Sequence, residues 1–292
     1  MTEKPTSFEL TAQPAWVSLS SDFGLNYWRW PGQVPILLLH GLADHGLVWA
    51  NLAQSLNDRN YDWVAPDLRG HGDSSKPDRG YRCPDFIADL KAFVDHLGWS
   101  QFHVISHSWS SKLATLWATE EPERFLSLTV VDPFFIGKMP SWVQITFPLL
   151  YKTLPFLKTL GPFSDRSQLE NLAQGLKQYR GWSAHQQLVF ETSIEAKADG
   201  SWGSKFVVPA RNEVFAEITE IEGLTHPLQV PTLLITPEQG LNRFAWQLRP
   251  FYTYASALSV QTIPGNHWPF LVSPETFHHT IAEWLSSQDP QG

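Results

Sequence analysis

The stretch I-S-H-S-W-S-S, residues 105–111, decides how the rest of this chain is interpreted. An apolar run that includes Phe102 and Val104 precedes it, and a helical pattern of apolar residues follows it at 113–117. A serine with a small residue two positions away on either side, between a buried strand and a helix, is typical of a very tight turn. Such a turn projects the hydroxyl of its central serine, here Ser108, from the edge of the sheet.

Positions 106 and 110 must be small because the strand and the helix nearly touch there. Glycine is usual at both, whereas this chain has Ser106 and Ser110. Serine is small enough for the turn but leaves the backbone less freedom. The alternative is a Ser-rich loop whose hydroxyls only cap the following helix, so the interpretation depends on the rest of the chain.

Apolar runs and amphipathic helices alternate on both sides of this turn. The runs at 16–19 and 25–30 predict an antiparallel edge, and the continuous apolar run at 34–40 predicts a strand buried on both faces. The other predicted elements are strands at 63–65, 126–131, 231–236 and 258–263 and helices at 48–56, 85–97 and 276–285. This alternation predicts an α/β fold with a mostly parallel, doubly wound sheet.

The alternation stops between residues 134 and 226, where helical patterns continue without a convincing buried strand. We interpret 134–226 as an inserted helical cap and 1–133 with 227–292 as the core domain. Aromatic residues crowd the beginning of the cap, and prolines cut it into short helices. We expect some of these aromatic residues to line an apolar substrate pocket; the candidates are Phe134 and Trp142, together with Trp268 of the core. A weaker alternative is an exposed patch that touches a membrane.

Composition excludes several classes of protein. A net charge of −8 without a Lys/Arg cluster argues against a nucleic-acid partner. The lone cysteine, Cys83, excludes an internal disulfide and suits a reducing compartment. No apolar segment has the length of a signal peptide or a spanning helix, so we expect a soluble cytoplasmic protein. No metal-binding spacing occurs, and we expect neither a metal nor another cofactor.

A serine nucleophile needs a base, a carboxylate that orients the base, and donors for the oxyanion. The candidate base is His267 in G-N-H-W-P-F, which follows the last strand and so lies at the same sheet edge as Ser108. The candidate oxyanion donors are the backbone N–H groups of Trp109, next to the serine, and Leu42, next to H-G at 40–41. The alternative for this H-G pair is a simple strand terminus.

Four motifs, in this order and spacing, resemble the α/β-hydrolase fold superfamily, and more closely its capped esterases. They are H-G-L-A-D at 40–44, D-L-R-G-H-G-D-S at 67–74, S-H-S-W-S at 106–110 and G-N-H-W-P-F at 265–270. The resemblance implies the fold and a Ser-His-acid triad. Asp67, Arg69 and His71 of the second motif are alternative catalytic candidates, but we interpret them as an internally bonded structural loop that shapes the sheet edge.

The acid of the triad is ambiguous, because Gly240 stands where the family usually has its Asp, after the penultimate strand. Asp132 ends the strand that follows the helix after Ser108, a position from which some members of the superfamily supply the acid. Glu238 lies in the usual loop, two residues early. We favour Asp132 because strand ends are held more rigidly than loops. The non-catalytic alternatives are that Asp132 caps a turn and that Glu238 is a solvated charge on a loop.

The sequence therefore predicts a serine hydrolase that cleaves a carboxylic ester or related acyl bond of a small, apolar substrate. Carbon-carbon bond hydrolases, lactonases and cofactor-free haloperoxidases of the superfamily reuse the same machinery and remain alternatives. A ligand receptor or pseudoenzyme of the same fold is the alternative from another class. Dehalogenases and epoxide hydrolases are disfavoured because their nucleophile is Asp, and this chain has Ser108 at that position.

Overall fold

An eight-stranded sheet forms the centre of the computed structural model, which describes residues 8–134 and 136–288. Residues 1–7 and 289–292 of the predicted core and residue 135 of the predicted cap lie outside the described residues. The strands are β1 (Gln13–Ser18), β2 (Gly24–Trp30), β3 (Val34–Leu39), β4 (Tyr61–Pro66), β5 (Phe102–His107), β6 (Phe125–Val131), β9 (Thr232–Gln239) and β10 (Leu258–Asn266).

The strand order is β1-β2-β4-β3-β5-β6-β9-β10. Strands β1, β2 and β4 pair antiparallel at one edge, and every other pair in the sheet is parallel. The order runs outward in both directions from β3 and β5, as it must when helices cross over both faces. This confirms the predicted mostly parallel, doubly wound α/β fold, including its antiparallel edge.

Ten helices accompany the strands in the described residues. They are α1 (Ala50–Ser55), α2 (Cys83–His96), α3 (Ser110–Glu120), α4 (Phe147–Thr153), α5 (Arg166–Gln174), α6 (Ala184–Ser193), α7 (Val208–Glu217), α8 (Ala245–Tyr254), α9 (Pro269–Val272) and α10 (Pro274–Gln288). Within that part of the chain, none of these helices is both long and apolar enough to cross a membrane.

Two apolar clusters form the core, one on each face of the sheet. Strand β3 shows how the sequence builds them: Leu37 and Leu39 belong to one cluster, and Ile36 and Leu38 belong to the other. All four side chains are fully buried. Successive residues of a strand point to opposite faces, so a continuous apolar run is required here, as the sequence predicted for 34–40.

The segment between β6 and β9 contains α4 to α7, as expected for the predicted cap. It also contains a small antiparallel sheet of β7 (Ile194–Ala196) and β8 (Trp202–Ser204), which we did not predict. Each strand has three residues, too few for an alternating pattern to be visible. A turn at Gly200, whose φ is 82°, joins them. The expectation of a segment without strands was therefore wrong in this one detail.

Several histidines are buried and neutral. Burial lowers the pKa of His40, His185 and His278 to about 4, and it lowers the pKa of His71 and His107 well below 6.5. In an unfolded chain these groups titrate near 6.5. Between pH 6.5 and 4 the unfolded state therefore binds more protons than the folded state, and the stability that the neutral rings contribute is lost as pH falls.

We predict that the free energy of unfolding falls steeply between pH 7 and pH 5, as measured by urea denaturation. His278→Gln should remove about 2 kcal/mol of that fall, because it deletes one group that takes up a proton on unfolding. His279, the next residue, is exposed, and His279→Gln is the matched control that should leave the fall unchanged. Equal pH dependence in both variants would contradict the assignment to buried histidine.

Candidate active site

Ser108 lies on the turn between β5 and α3 and has a φ of 59°, in the left-handed region that residues other than glycine seldom occupy. The backbone is held there from both sides. The N–H of Ser108 donates to the carbonyl of Val131 at 2.9 Å, and its carbonyl accepts from the N–H of Phe134 at 3.1 Å. Strand β6 and the start of the cap therefore fix the strained residue that presents its hydroxyl.

The two serines at the glycine positions of this turn are fully buried and hydrogen-bonded. Ser106 Oγ donates to the carbonyl of Thr129 at 3.1 Å. Ser110 Oγ lies 2.9 Å from the carbonyl of Leu39 and accepts from the N–H of His107 at 3.1 Å. These hydroxyls tie the turn to β3 and β6. A buried hydroxyl needs such partners, and here the partners are main-chain groups of the neighbouring strands.

Ser108, His267 and Asp132 form one hydrogen-bonded line. Asp132 Oδ2 lies 2.6 Å from His267 Nδ1, and His267 Nε2 lies 2.9 Å from Ser108 Oγ. A carboxylate can only accept, so Nδ1 carries the proton of the neutral ring, and Nε2 is then free to accept the serine proton. The three side chains come from the ends of β5, β6 and β10, which places them at one edge of the sheet.

Asp132 is almost completely buried, with 1% of its surface exposed. Besides His267, it accepts from the N–H of Leu241 at 2.8 Å and from Nδ2 of Asn242 at 2.7 Å. Its own N–H donates to the carbonyl of Ile235 on β9 at 2.9 Å. Charge-assisted bonds of this kind hold a carboxylate in one orientation, so the loop after β9 fixes Asp132 against the imidazole.

Gly240 leaves the space that the Asp132 carboxylate occupies. A Cβ atom added at Gly240 would lie 2.6 Å from Oδ2 of Asp132. Any larger residue at position 240 would therefore displace this carboxylate, so an acid at position 240 and an acid at Asp132 exclude each other. Glu238 is exposed, and among the described residues its carboxylate has no hydrogen bond to His267.

Leu42 and Trp109 are the predicted oxyanion donors: Leu42 lines the same cavity as Ser108, and Trp109 is the next residue after Ser108 in the chain. In the part of the chain that the structure describes, neither N–H donates to a protein acceptor. His40 anchors the first of these loops: its Nδ1 donates to the carbonyl of Gly41 at 2.8 Å, and its Nε2 accepts from the N–H of Leu68 at 2.9 Å. Two free donors beside a serine hydroxyl can stabilise a negatively charged oxygen.

A cavity of about 420 Å³ opens over Ser108. Core and insertion both line it, and most of its wall is apolar; the residues are Leu42, Asp44, His107, Phe134, Leu154, Pro155, Phe156, Leu176, Phe215, Gln239, Leu241 and Trp268, among others. The predicted pocket residues Phe134 and Trp268 are part of this wall. Trp142 is not. It is 66% exposed, and it belongs with Ile145 and Leu149 to the exposed apolar side chains of the insertion.

Trp142 was predicted to line the pocket, but it lies on the short helical turn Ser141–Thr146, in which no residue is buried. Composition alone cannot tell which face of such a turn meets the core. Asn242, Asp44 and His107 also lie at the site and were not predicted from the sequence. Asp44 belongs to the H-G-L-A-D motif and Asn242 follows the glycine at 240, so both positions were visible as polar residues beside expected site loops.

The loop at 67–74 lies outside this constellation, as expected for a structural element. Asp67 accepts from the N–H groups of Gly46 and Asp73 at 2.8 and 2.9 Å, and Arg69 forms a two-pronged ion pair with Asp89. The loop thereby connects the neighbouring segments at the sheet edge. Within 8–134 and 136–288, no three His, Cys, Asp or Glu side chains are grouped to hold a metal ion.

Comparisons with known proteins agree with this fold. A family model described as alpha/beta hydrolase fold matches residues 34–158. A serine hydrolase-like protein from Danio rerio is 25% identical over 285 residues, which cover 88% of this chain and 82% of that protein. The crystal structure of E-2-(acetamidomethylene)succinate hydrolase superposes with a TM-score of 0.77 at 21% identity and covers 94% of this chain and 99% of that chain.

A fluoroacetate dehalogenase from Burkholderia sp is 33% identical over 267 residues, which cover 86% of each chain. Identity at this level over most of both chains indicates common family membership as well as a shared fold. Together with the matched family model, the sheet order and the strand-to-helix turn at Ser108, it shows that this chain belongs to the α/β-hydrolase family.

Proposed function

We propose that this α/β hydrolase cleaves carboxylic esters, or closely related acyl compounds, through an acyl-enzyme on Ser108. The observation that carries the proposal is the unbroken line from Ser108 Oγ to His267 Nε2 at 2.9 Å and from His267 Nδ1 to Asp132 at 2.6 Å. A serine hydroxyl becomes a useful nucleophile when an oriented neutral imidazole accepts its proton, and this arrangement supplies that imidazole.

The proposed reaction has two halves. In the first, Ser108 Oγ attacks the ester carbonyl, His267 Nε2 takes the hydroxyl proton, and the N–H groups of Leu42 and Trp109 stabilise the oxyanion. His267 then gives the proton to the leaving alcohol, and the acyl group remains on Ser108. In the second half, water loses a proton to His267 and attacks the acyl-enzyme. His267 then gives this proton to Ser108 Oγ as the bond between the acyl group and Ser108 breaks, which releases the acid and restores both side chains.

Asp132 has a positioning role in this proposal. Its carboxylate keeps the Nδ1 proton of His267 in place and stabilises the imidazolium that forms in each half-reaction. Its other contacts, to Leu241 and Asn242, leave it directed at the ring rather than at the cavity. Displacement of a halide or epoxide by a carboxylate nucleophile is therefore not proposed: position 108 has a hydroxyl, and the nearby carboxylate is held by other donors.

A purely binding protein of the same fold is also disfavoured. Binding would not require a strained Ser108 whose hydroxyl lies 2.9 Å from an imidazole. Strained backbone of this kind is typical of sites that perform chemistry. The cavity wall, which is mostly apolar, favours an apolar acyl or alcohol group on the substrate.

Ser108→Ala should lower ester turnover by about 10³-fold or more and abolish labelling by a fluorophosphonate probe, because it removes the nucleophile. The measurement is hydrolysis of p-nitrophenyl butyrate together with gel detection of the probe. Ser106→Ala and Ser110→Ala are matched controls that change a hydroxyl in the same turn, and both should still be labelled. Labelling of Ser108→Ala would refute the assignment of the nucleophile.

Asp132→Asn should reduce kcat by about 10⁴-fold, because the amide no longer holds the required tautomer of His267. Glu238→Gln is the control that removes the alternative carboxylate, and its kcat should stay within about twofold of the wild type, since exposed substitutions away from the chemistry have small effects. Steady-state kinetics on one ester measures both. The opposite ranking would assign the acid to Glu238.

The apolar cavity predicts a dependence on acyl length. For p-nitrophenyl esters, kcat/KM should rise from acetyl to medium acyl groups, with each buried methylene contributing up to about 0.8 kcal/mol. Phe134→Ala should flatten this increase because it removes part of the wall, whereas Trp142→Ala, on the exposed surface, should not. A wild-type preference for acetyl would contradict the apolar pocket.

A further inference from the structure

Asp44 is a buried carboxyl group in the wall of the cavity over Ser108. It follows Leu42, the proposed oxyanion donor, by two residues, and its side chain is only 9% exposed. None of the reaction steps proposed above uses it. A carboxyl group withdrawn from water needs a hydrogen-bond donor or a positive charge beside it. The partners of Asp44 therefore indicate its role.

One oxygen of Asp44 has a partner in the protein. Oδ2 accepts a hydrogen bond from Nε1 of Trp268 at 3.0 Å. Within 8–134 and 136–288, no hydrogen bond reaches Oδ1 and no Lys or Arg pairs with the group. The two cationic residues of the cavity wall, Lys177 and Arg243, are exposed.

The imidazole of His107 also lies near Asp44, but it does not serve as the missing donor. Its Nδ1 lies 3.7 Å from Oδ2 of Asp44. Its Nε2 donates to the carbonyl of His267 at 2.7 Å, so Nε2 carries the proton of the neutral ring and Nδ1 presents a lone pair. Burial holds the pKa of His107 well below 6.5, which keeps the ring neutral.

The surroundings of Asp44 therefore disfavour an unpaired negative charge. Burial raises the pKa of Asp44 to about 7, against the opposing effect of the Trp268 bond. A small recess of about 10 Å³ opens beside it and is lined by Thr159, Tyr179 and Ser193, among others. Asp44 thus lies between the mostly apolar cavity over Ser108 and a recess that has polar side chains in its wall.

We propose that Asp44 is a specificity-determining residue whose free Oδ1 accepts a hydrogen bond from a hydroxyl or protonated amino group on the substrate, close to the bond that is cleaved. This inference rests on the proposed function, because it assumes that the acyl carbonyl lies between Ser108 and the N–H of Leu42. Consecutive Cα atoms are 3.8 Å apart, so Asp44 lies within about 8 Å of Leu42 along the chain. The donor is then separated from the carbonyl carbon by a few bonds.

The test compares esters that differ only in the group offered to Asp44. One series is p-nitrophenyl 3-methylbutanoate, 3-hydroxybutanoate and 3-aminobutanoate; the other is the heptanoate, 6-hydroxyhexanoate and 6-aminohexanoate. In at least one series the wild type should show kcat/KM for the hydroxyl or amino ester at least equal to that of the methyl ester. In Asp44→Leu the ratio of donor ester to methyl ester should fall about tenfold or more, because the donor then enters an apolar site without an acceptor.

Asp58→Leu is the matched control, because it makes the same substitution at an exposed carboxylate that does not line the cavity. Its donor-to-methyl ratio should equal that of the wild type. The hydroxyl and amino esters separate the two sources of the donor, and preference for either one supports the proposal. An unchanged ratio in Asp44→Leu in both series would overturn it while leaving ester hydrolysis by Ser108 intact. Failure of the wild type to hydrolyse any of the six esters would instead overturn the proposed function.

Discussion

The buried carboxylate of Asp132 is the constraint on which the rest of the site depends. Its two oxygens accept from His267, Leu241 and Asn242, which belong to two different loops at the sheet edge. A buried carboxylate is tolerated only when such donors surround it. The loop after β9 therefore surrounds the carboxylate of Asp132, which follows β6. Gly240 is the point of that loop where a side chain would collide with the carboxylate.

The tight turn at Ser108 combines restricted backbone freedom with additional hydrogen bonds. Serine at 106 and 110 replaces the usual glycine, and each hydroxyl is satisfied by the backbone of a neighbouring strand. The turn loses some backbone freedom and gains bonds that tie it to β3 and β6. Ser108 keeps its left-handed φ because its own N–H and carbonyl are bonded to Val131 and Phe134. The rigid flanking strands thus hold the Ser108 hydroxyl, which the proposed reaction uses, in a fixed position.

Much of the fold could be predicted from the sequence, because buried parallel strands must be continuously apolar and crossover helices must be amphipathic. Strand ends also meet at one edge, so the convergence of Ser108, His267 and Asp132 followed from their positions after β5, β10 and β6. The choice between Asp132 and Glu238 did not follow. That Asp132 approaches His267 depends on the space at Gly240, which is a three-dimensional property of two loops.

Other features were hidden for similar reasons. The hairpin of β7 and β8 is too short for periodicity to detect, and Trp142 lies on a helical turn whose orientation depends on packing. Asp44 was visible in the H-G-L-A-D motif, but its role is suggested only by its neighbours. One oxygen accepts from Trp268, a lone pair of His107 lies nearby, and the other oxygen has no partner among the described residues. Sequence patterns report burial and order along the chain, whereas these roles depend on which atoms remain without a partner.

The most direct measurement of the central claim is single-turnover hydrolysis of an ester in ¹⁸O-labelled water, followed by acid quenching and mass spectrometry of the protein's peptides. The account predicts a transient acyl adduct on the peptide that contains Ser108, with the labelled oxygen found in the released acid and not in the protein. Labelled oxygen in the side chain of Asp132, or an adduct on any residue other than Ser108, would contradict it.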